Sequence, residues 1–193
     1  MTNVTDEQLG KLARQQADLF RRVREGSLDP ASVTRGLQEV IAGKYKTVLE
    51  PFSSIEVQYW HDLRISLELL GYEHVHNQIT RNNFPVRRLG WSLIQPRLLC
   101  FGRRITHEEL VVEADKRGLR LAVIEEFIAF LRSHPHILKD TEIVAAGSIW
   151  EIQGERIRRF VPTAYISGLG RTLYLHPVEL NYHSKQHFLV VEK

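Results

Sequence analysis

Apolar positions change period along this chain. Near the start, Leu9, Leu12, Ala13, Leu19, Phe20 and Val23 recur at helical spacing, with Gln16 interrupting the stripe. Lys11, Arg14, Asp18, Arg22 and Glu25 fill the opposite face. Thr5 followed by Gln8 reads as a capping box, and Gly26 as a stop. Asp29-Pro30 supplies a cap and a first helical residue without an orphan N–H, and Val33, Leu37, Val40 and Ile41 line a second helix that Gly43 ends. Two amphipathic helices with a short turn pack as an antiparallel hairpin over 1–43. The hairpin offers about ten apolar side chains, each worth roughly 1.5–3 kcal/mol when buried, which is marginal against its ordering entropy. The pair therefore docks on the rest of the chain or on a partner. As a DNA-binding helix-turn-helix it lacks an immediate third helix, and its second helix offers only Arg35 and Gln38 as polar readers.

Residues 44–53, with Lys44, Lys46 and Pro51, read as a linker closed by Ser53 and Ser54. A helix is expected over 54–70, with Ile55, Trp60, Leu63, Leu67 and Leu70 as its apolar set, Trp60 in the core, His61 on the surface and Gly71 as the stop. The polar stretch Tyr72–Pro85 turns at Asn82-Asn83; Phe84 and Val86 then go inward while Arg87 and Arg88 point out. Trp91–Phe101 reads as one or two strands.

Thr106 and Glu109 form the strongest capping box in the chain. Leu110, Val111 and Ala114 make the buried side of that helix, which Gly118 stops. Ile124, Phe127, Ile128 and Leu131 define a second helix that His134-Pro135 ends. From Glu142 the pattern turns to strands, with turns at Gln153-Gly154 and Gly168-Leu169-Gly170 and an apolar last strand, internal to a sheet, over His187–Val191. The expected fold is α+β: a helical hairpin, then a mixed domain over 54–193 with two helices and a mainly antiparallel sheet.

Composition changes this picture little. Hydrophobic residues make up 43% of the 193, and no apolar run approaches the ~20 residues of a membrane span. Early charges such as Asp6, Glu7 and Lys11 break any signal-peptide core. One cysteine, Cys100, read as a buried core residue, excludes an internal disulfide and fits a reducing compartment; a cytoplasmic protein is expected. The net charge is +3, and the excess sits in residues 55–105, which carry Arg81, Arg87, Arg88, Arg103 and Arg104. That patch suits phosphate or an acidic partner, or is simply a solvated basic face.

Catalytic signatures are missing. Gly168 and Gly170 are too close for a dinucleotide fingerprint. His74 and His76 lack a third ligand, and His176, His183 and His187 show no zinc-helix spacing. No nucleophile, base and orienter stand together, so no enzyme, metal or cofactor is expected.

Thr106-His107-Glu108-Glu109 opening a helix, then Gly118-Leu119-Arg120-Leu121 leading into Ile124-Glu125-Glu126-Phe127, resembles the helix, turn and acidic-aromatic second helix of the C-type-lectin-like fold, including formylglycine-generating-enzyme-like domains. Phe188–Glu192 is similar to that family's closing strand, and the resemblance covers 94–193. Ala122-Val123 stands where the family has Pro-Thr, and Gly147-Ser148-Ile149-Trp150 is only an echo of its Gly-Gly-Ser-Trp. The family's calcium motifs and paired cysteines are missing from the sequence. The resemblance thus implies a scaffold that binds through late loops, without calcium, copper or oxidase chemistry. The whole chain also resembles bacterial proteins that carry no assigned activity.

Two functions follow as expectations. One is a non-enzymatic binding or interaction protein that presents the loops around 151–156, 166–171 and 180–187, with Tyr165, Arg171, Asn181, Tyr182 and His183 as contacts and the hairpin for docking or self-association. The other is a nucleic-acid-associated regulator that uses the basic stretch 81–104.

Overall fold

A computed structural model describes residues 5–41, 47–48, 52–86, 88–139, 141–154 and 156–193. The chain divides into two units, Met1–Tyr45 and Lys46–Lys193. No helix among the described residues is long and apolar enough to cross a membrane.

The first unit holds α1 (Asp6–Arg24) and α2 (Pro30–Ile41). Gly26, at φ +73°, ends α1, with the N–H of Ser27 on Arg22 O at 3.0 Å. The carboxylate of Asp29 accepts from the backbone N–H and the hydroxyl of Ser32, at 2.8 and 2.7 Å, and so caps α2 ahead of Pro30 as expected. The apolar stripe stays open: Leu9, Leu12, Phe20, Leu37 and Ile41 are exposed. The side chains of Gln8, Arg35 and Val40 lie outside the described set.

The second unit begins with β1 (Thr47–Val48), β2 (Ile55–Gln58), α3 (Leu63–Leu70) and β3 (His74–Val75). Then come β4 (Trp91–Ile94), β5 (Pro96–Cys100), α4 (His107–Asp115), β6 (Leu119–Leu121) and α5 (Ile124–Ser133). The last strands are β7 (Glu142–Val144), β8 (Trp150–Ile152), β9 (Arg158–Ser167), β10 (Gly170–Pro177) and β11 (Gln186–Glu192). The main sheet runs β1-β5-β11-β7-β9-β10-β3, with β6 beside β11 and β8 beside β9; β2 and β4 form a separate pair. Only β7–β11 and β3–β10 are parallel, so the sheet is mainly antiparallel. The last strand is internal, between β5 and β7.

Alternation along the strands sends side chains into two cores. Leu98, Ile143, Ala164, Leu173 and Leu189 pack with Phe127, Ile128 and Leu131 of α5 and Leu63 and Leu67 of α3. Leu99, Val144, Val161, Phe188 and Val190 pack with Leu110 and Ala114 of α4. Helices therefore cover both faces. The capping box of α4 is complete, with Glu109 N–H on the Thr106 hydroxyl and Thr106 N–H on the Glu109 carboxylate, both at 3.1 Å.

Several expectations change. The helix expected over 54–70 is a strand, a turn and a shorter helix. Ile55 and Val57 alternate buried against exposed Glu56 and Gln58, while the carboxylate of Asp62 takes the Arg64 N–H at 2.8 Å and starts α3. Trp60 sits in the turn between them, 61% exposed rather than in the core. Within 44–53, Thr47 and Val48 are not linker but pair with Cys100 and Leu99; Lys44, Lys46 and Pro51 lie outside the described residues. Val111 faces out, and His107 takes the inward position on α4. Cys100 is only partly buried, its thiol 3.5 Å from Ser184 O. Gly147 lies in the turn after β7, where a Cβ would stand 2.5 Å from Leu121 O, so only glycine fits that approach.

Candidate functional site

Glu126 is fully buried, yet every hydrogen bond it needs is made. Its Oε1 accepts from the Tyr59 hydroxyl at 2.6 Å and from Arg120 at 2.6 Å; its Oε2 accepts from Arg120 at 2.9 Å and from the Val123 backbone N–H at 2.9 Å. The bidentate Arg120 contact offsets the cost of taking a carboxylate out of water. Val123 has no capping side chain, so Glu126 reaching back is what satisfies the start of α5. The Ser148 hydroxyl accepts the next N–H, from Ile124, at 2.9 Å. Burial, then the bond to Glu126, raises the Tyr59 phenol above its ordinary value; the bond to Glu126 raises Arg120 despite its burial. Neighbouring Glu125 instead faces Arg81, at 2.5 Å, and that guanidinium also donates to His61 O at 2.7 Å.

This rigid group forms the wall of two clefts. One, of about 310 Å³, is lined by Tyr59, Pro85, Arg88, Arg120, Val123 and Ser148. The other, of about 460 Å³, runs along Ser92–Gln95 to Glu192 and Lys193 and shares Arg88 and Arg120. Arg88 lies over the Tyr59 ring, 5.5 Å from its centroid, and donates to its hydroxyl at 3.3 Å. It has no carboxylate partner among the described residues. Arg120, by contrast, is neutralised by Glu126, Arg97 by Glu192 and Lys193 by Asp115.

The basic stretch is therefore not a continuous stripe. Arg81 and Arg103 are tied to Glu125 and Glu109, Arg104 is exposed beside α4, and Arg87 lies outside the described residues. Of the expected set, Arg88 alone among the described residues lines these clefts.

The late loops do not converge. Residues 156–157 and 178–185 share the end of the sheet where Pro177 pairs with Phe160 and the Val178 N–H meets Arg159 O. The β9–β10 turn lies at the far end of β9, about 30 Å away at ~3.3 Å per residue. Arg171 belongs to that end. Its guanidinium lies over the Tyr72 ring and donates to Gly71 O, while its backbone N–H goes to Glu73 at 2.7 Å. Burial, only partly opposed by Arg171, pushes the Tyr72 phenol up to about 12.

Tyr182 is a core residue, not a loop contact. It is fully buried, with its hydroxyl on His107 Nδ1 at 3.1 Å and its ring against His176 and Phe188. Asn181 beside it is exposed. Tyr165 and His183 do belong to one cluster, joined by residues that the sequence did not mark. Tyr165 packs edge-on to Tyr174, whose hydroxyl donates to Glu142 at 2.5 Å. The other Glu142 oxygen meets His183 Nε2 at 2.8 Å, and Gln186 adds a bond at 2.7 Å. Burial raises Glu142, but the bonds from Tyr174, Gln186 and His183 outweigh it and leave the carboxyl below its ordinary value. The Lys185 N–H occupies His183 Nδ1 at 3.2 Å, which assigns the proton to Nε2 and commits both ring nitrogens. Among the described residues no three His, Cys, Asp or Glu side chains come together as a metal site.

Comparison with known proteins returns no matching family model, no matching curated protein and no matching solved structure.

Proposed function

We propose that this protein is a binding module, and that the Arg88–Arg120 clefts hold an anionic group of its ligand. One observation carries the reading. Arg88 is a guanidinium with no carboxylate partner among the described residues, held by a phenol that is itself locked by a buried carboxylate, at a position shared by both clefts. A positioned guanidinium presents a fork of donors suited to carboxylate or phosphate. Binding is favoured over acid–base chemistry because Glu126, Glu142 and His183 have their hydrogen-bonding capacity committed to internal partners. Nucleic acid competes for the same cation, but Arg81, Arg97 and Arg103 are already in ion pairs and would have to leave those carboxylates to contact phosphate.

The test is an amide-resolved NMR titration with inorganic phosphate and with a dicarboxylate. Saturable shifts at Ser92, Arg120 and Ser148, abolished by Arg88→Ala in a protein of unchanged fold, are expected. Shifts that survive Arg88→Ala, or no shifts at anion concentrations up to roughly 0.1 M, well above the ~1 mM of a −4.1 kcal/mol complex, refute the reading.

A further inference from the structure

We infer that the open edge of β4 accepts an extended acidic segment of a partner protein as an added strand. This rests on the reading of Arg88 given above and names the carrier of the anion. The hydrogen-bond phase of the β2–β4 pair shows which groups are free. Tyr59 N–H donates to Gly90 O at 3.1 Å, so the pair 59–90 is hydrogen-bonded across the ladder. In an antiparallel ladder bonded pairs alternate with non-bonded ones. Val57↔Ser92 and Ile55↔Ile94 are therefore bonded pairs, and Gln58↔Trp91 and Glu56↔Leu93 are not. The N–H and C=O groups of Trp91 and Leu93 consequently point away from β2. Among the described residues no strand lies on that side, since β4 pairs with β2 alone.

The empty lane continues the line of a real strand. β11 flanks β5 as far as Val191↔Pro96. Two residues further, level with the end of β4, Lys193 has its N–H on Gly118 O and so continues the ladder with β6. The cleft of about 460 Å³ occupies the space alongside Ser92–Gln95. A guest strand entering there runs antiparallel to β4 in the direction of β11.

The side chains around the lane specify the guest. Trp91 and Leu93 are 68% and 65% exposed on one face of β4 and receive apolar side chains at alternate guest positions. The intervening positions fall on the side of Ser92 and Ile94, where Arg88 lines the cleft beside Arg120, which Glu126 already pairs. That pattern calls for alternating apolar and acidic residues. A second copy of this chain is a poor occupant. Its β4, Trp-Ser-Leu-Ile, carries no carboxylate, and a two-fold pairing brings a second Arg88 towards the first.

The experiment uses the full chain and a synthetic peptide of alternating Val and Glu, with a Val/Lys peptide and a single-stranded oligonucleotide as competitors. Binding is followed by calorimetry and by amide hydrogen exchange. The Val/Glu peptide is expected to bind at least tenfold more tightly than the Val/Lys peptide and to slow exchange at Trp91 and Leu93. Leu93→Pro removes one outward N–H without touching the β2 ladder. It is expected to lower peptide affinity at least tenfold while leaving the phosphate shifts at Arg88-dependent amides intact. Unchanged exchange at Trp91 and Leu93 overturns strand addition, and that readout needs no variant. Equal binding of the two peptides, or tighter binding of the oligonucleotide, overturns it as well. If the peptide fails while phosphate still binds through Arg88, only this inference falls; if phosphate fails too, the function proposed above falls with it.

Discussion

Replacing Glu126 tests whether the clefts are built on a buried ionic anchor. Glu126→Leu removes the acceptor for four donors at once. The donors fare differently. Arg120, 28% exposed at its side chain, can swing towards water, whereas Tyr59, 1% exposed, cannot. Breaking a buried pair by removing one partner costs about 3–5 kcal/mol, and the partial exposure of Arg120 places this case near the lower end, at ~3 kcal/mol. For a domain the size of Lys46–Lys193 that lowers Tm by roughly 6–12 °C. The double variant Glu126→Leu with Arg120→Met leaves no orphan charge and should regain more than ~1 kcal/mol over the sum of the single effects. Urea unfolding of the wild type, both single variants and the double variant closes the cycle. A single-variant cost under ~1 kcal/mol, or strictly additive costs, refutes the anchor.

Two further outcomes follow from the same packing. Burial holds His107, His176 and His187 below the ordinary imidazole value, so the folded protein resists a proton that the unfolded chain takes up near pH ~6.5. A depressed pKa adds stability that is present above that pH and is lost as pH falls; the urea midpoint should drop between about pH 7.5 and 5.5, and His107→Gln should flatten the slope. Gly147→Ala places a Cβ 2.5 Å from Leu121 O and 2.7 Å from Ala122 O, which are backbone atoms that cannot rotate away. A loss of about 1–3 kcal/mol in thermal unfolding is expected, and a neutral result would show that this turn yields.

What the sequence made legible was local chemistry. Thr106 with Glu109, Asp29 with Pro30, and the three-and-four spacing of Ile124, Phe127, Ile128 and Leu131 each carry their whole signal within one helical turn. The stretch 54–70 misled because two periods abut. Ile55, Val57 and Tyr59 alternate as a strand, Leu63, Leu67 and Leu70 repeat as a helix, and the exposed Trp60 falls in step with the helix. Glu126 was illegible for another reason. Its side-chain partners lie 6 and 67 residues away, and nothing near it distinguishes a carboxylate bound by Arg120 and Tyr59 from its neighbour Glu125, which pairs with Arg81. Tyr165 and His183 were singled out, but their connection runs through Glu142, whose strand lies between β9 and β11 by a parallel, non-local pairing. Arg171 was assigned to the wrong neighbours because β3 joins β10 across a hundred residues and brings Gly71 and Glu73 to it.

Affinity arithmetic separates the two levels of the functional reading. A charged hydrogen bond contributes about 1.5–3 kcal/mol net, and Arg88 is the one cation at the clefts without a carboxylate of its own among the described residues. An isolated anion held mainly by that guanidinium falls short of the −4.1 kcal/mol of a millimolar complex, or barely reaches it. Pre-organisation supplies part of the shortfall. Tyr59, fixed by Glu126, already holds the Arg88 side chain, and ordering such a side chain on binding otherwise costs ~0.5–1.5 kcal/mol. A guest strand draws on more. It gains up to four outward backbone groups at Trp91 and Leu93, worth ~0.5–1.5 kcal/mol each, together with two large apolar contacts. Those additions carry the complex towards the −8.2 kcal/mol of a micromolar one, after the ordering cost of a short peptide. The same arginine therefore gives a weak site for free anions and a much tighter one for an anion borne on an extended chain. The ratio of the two affinities, rather than either alone, measures how much the vacant edge of β4 adds.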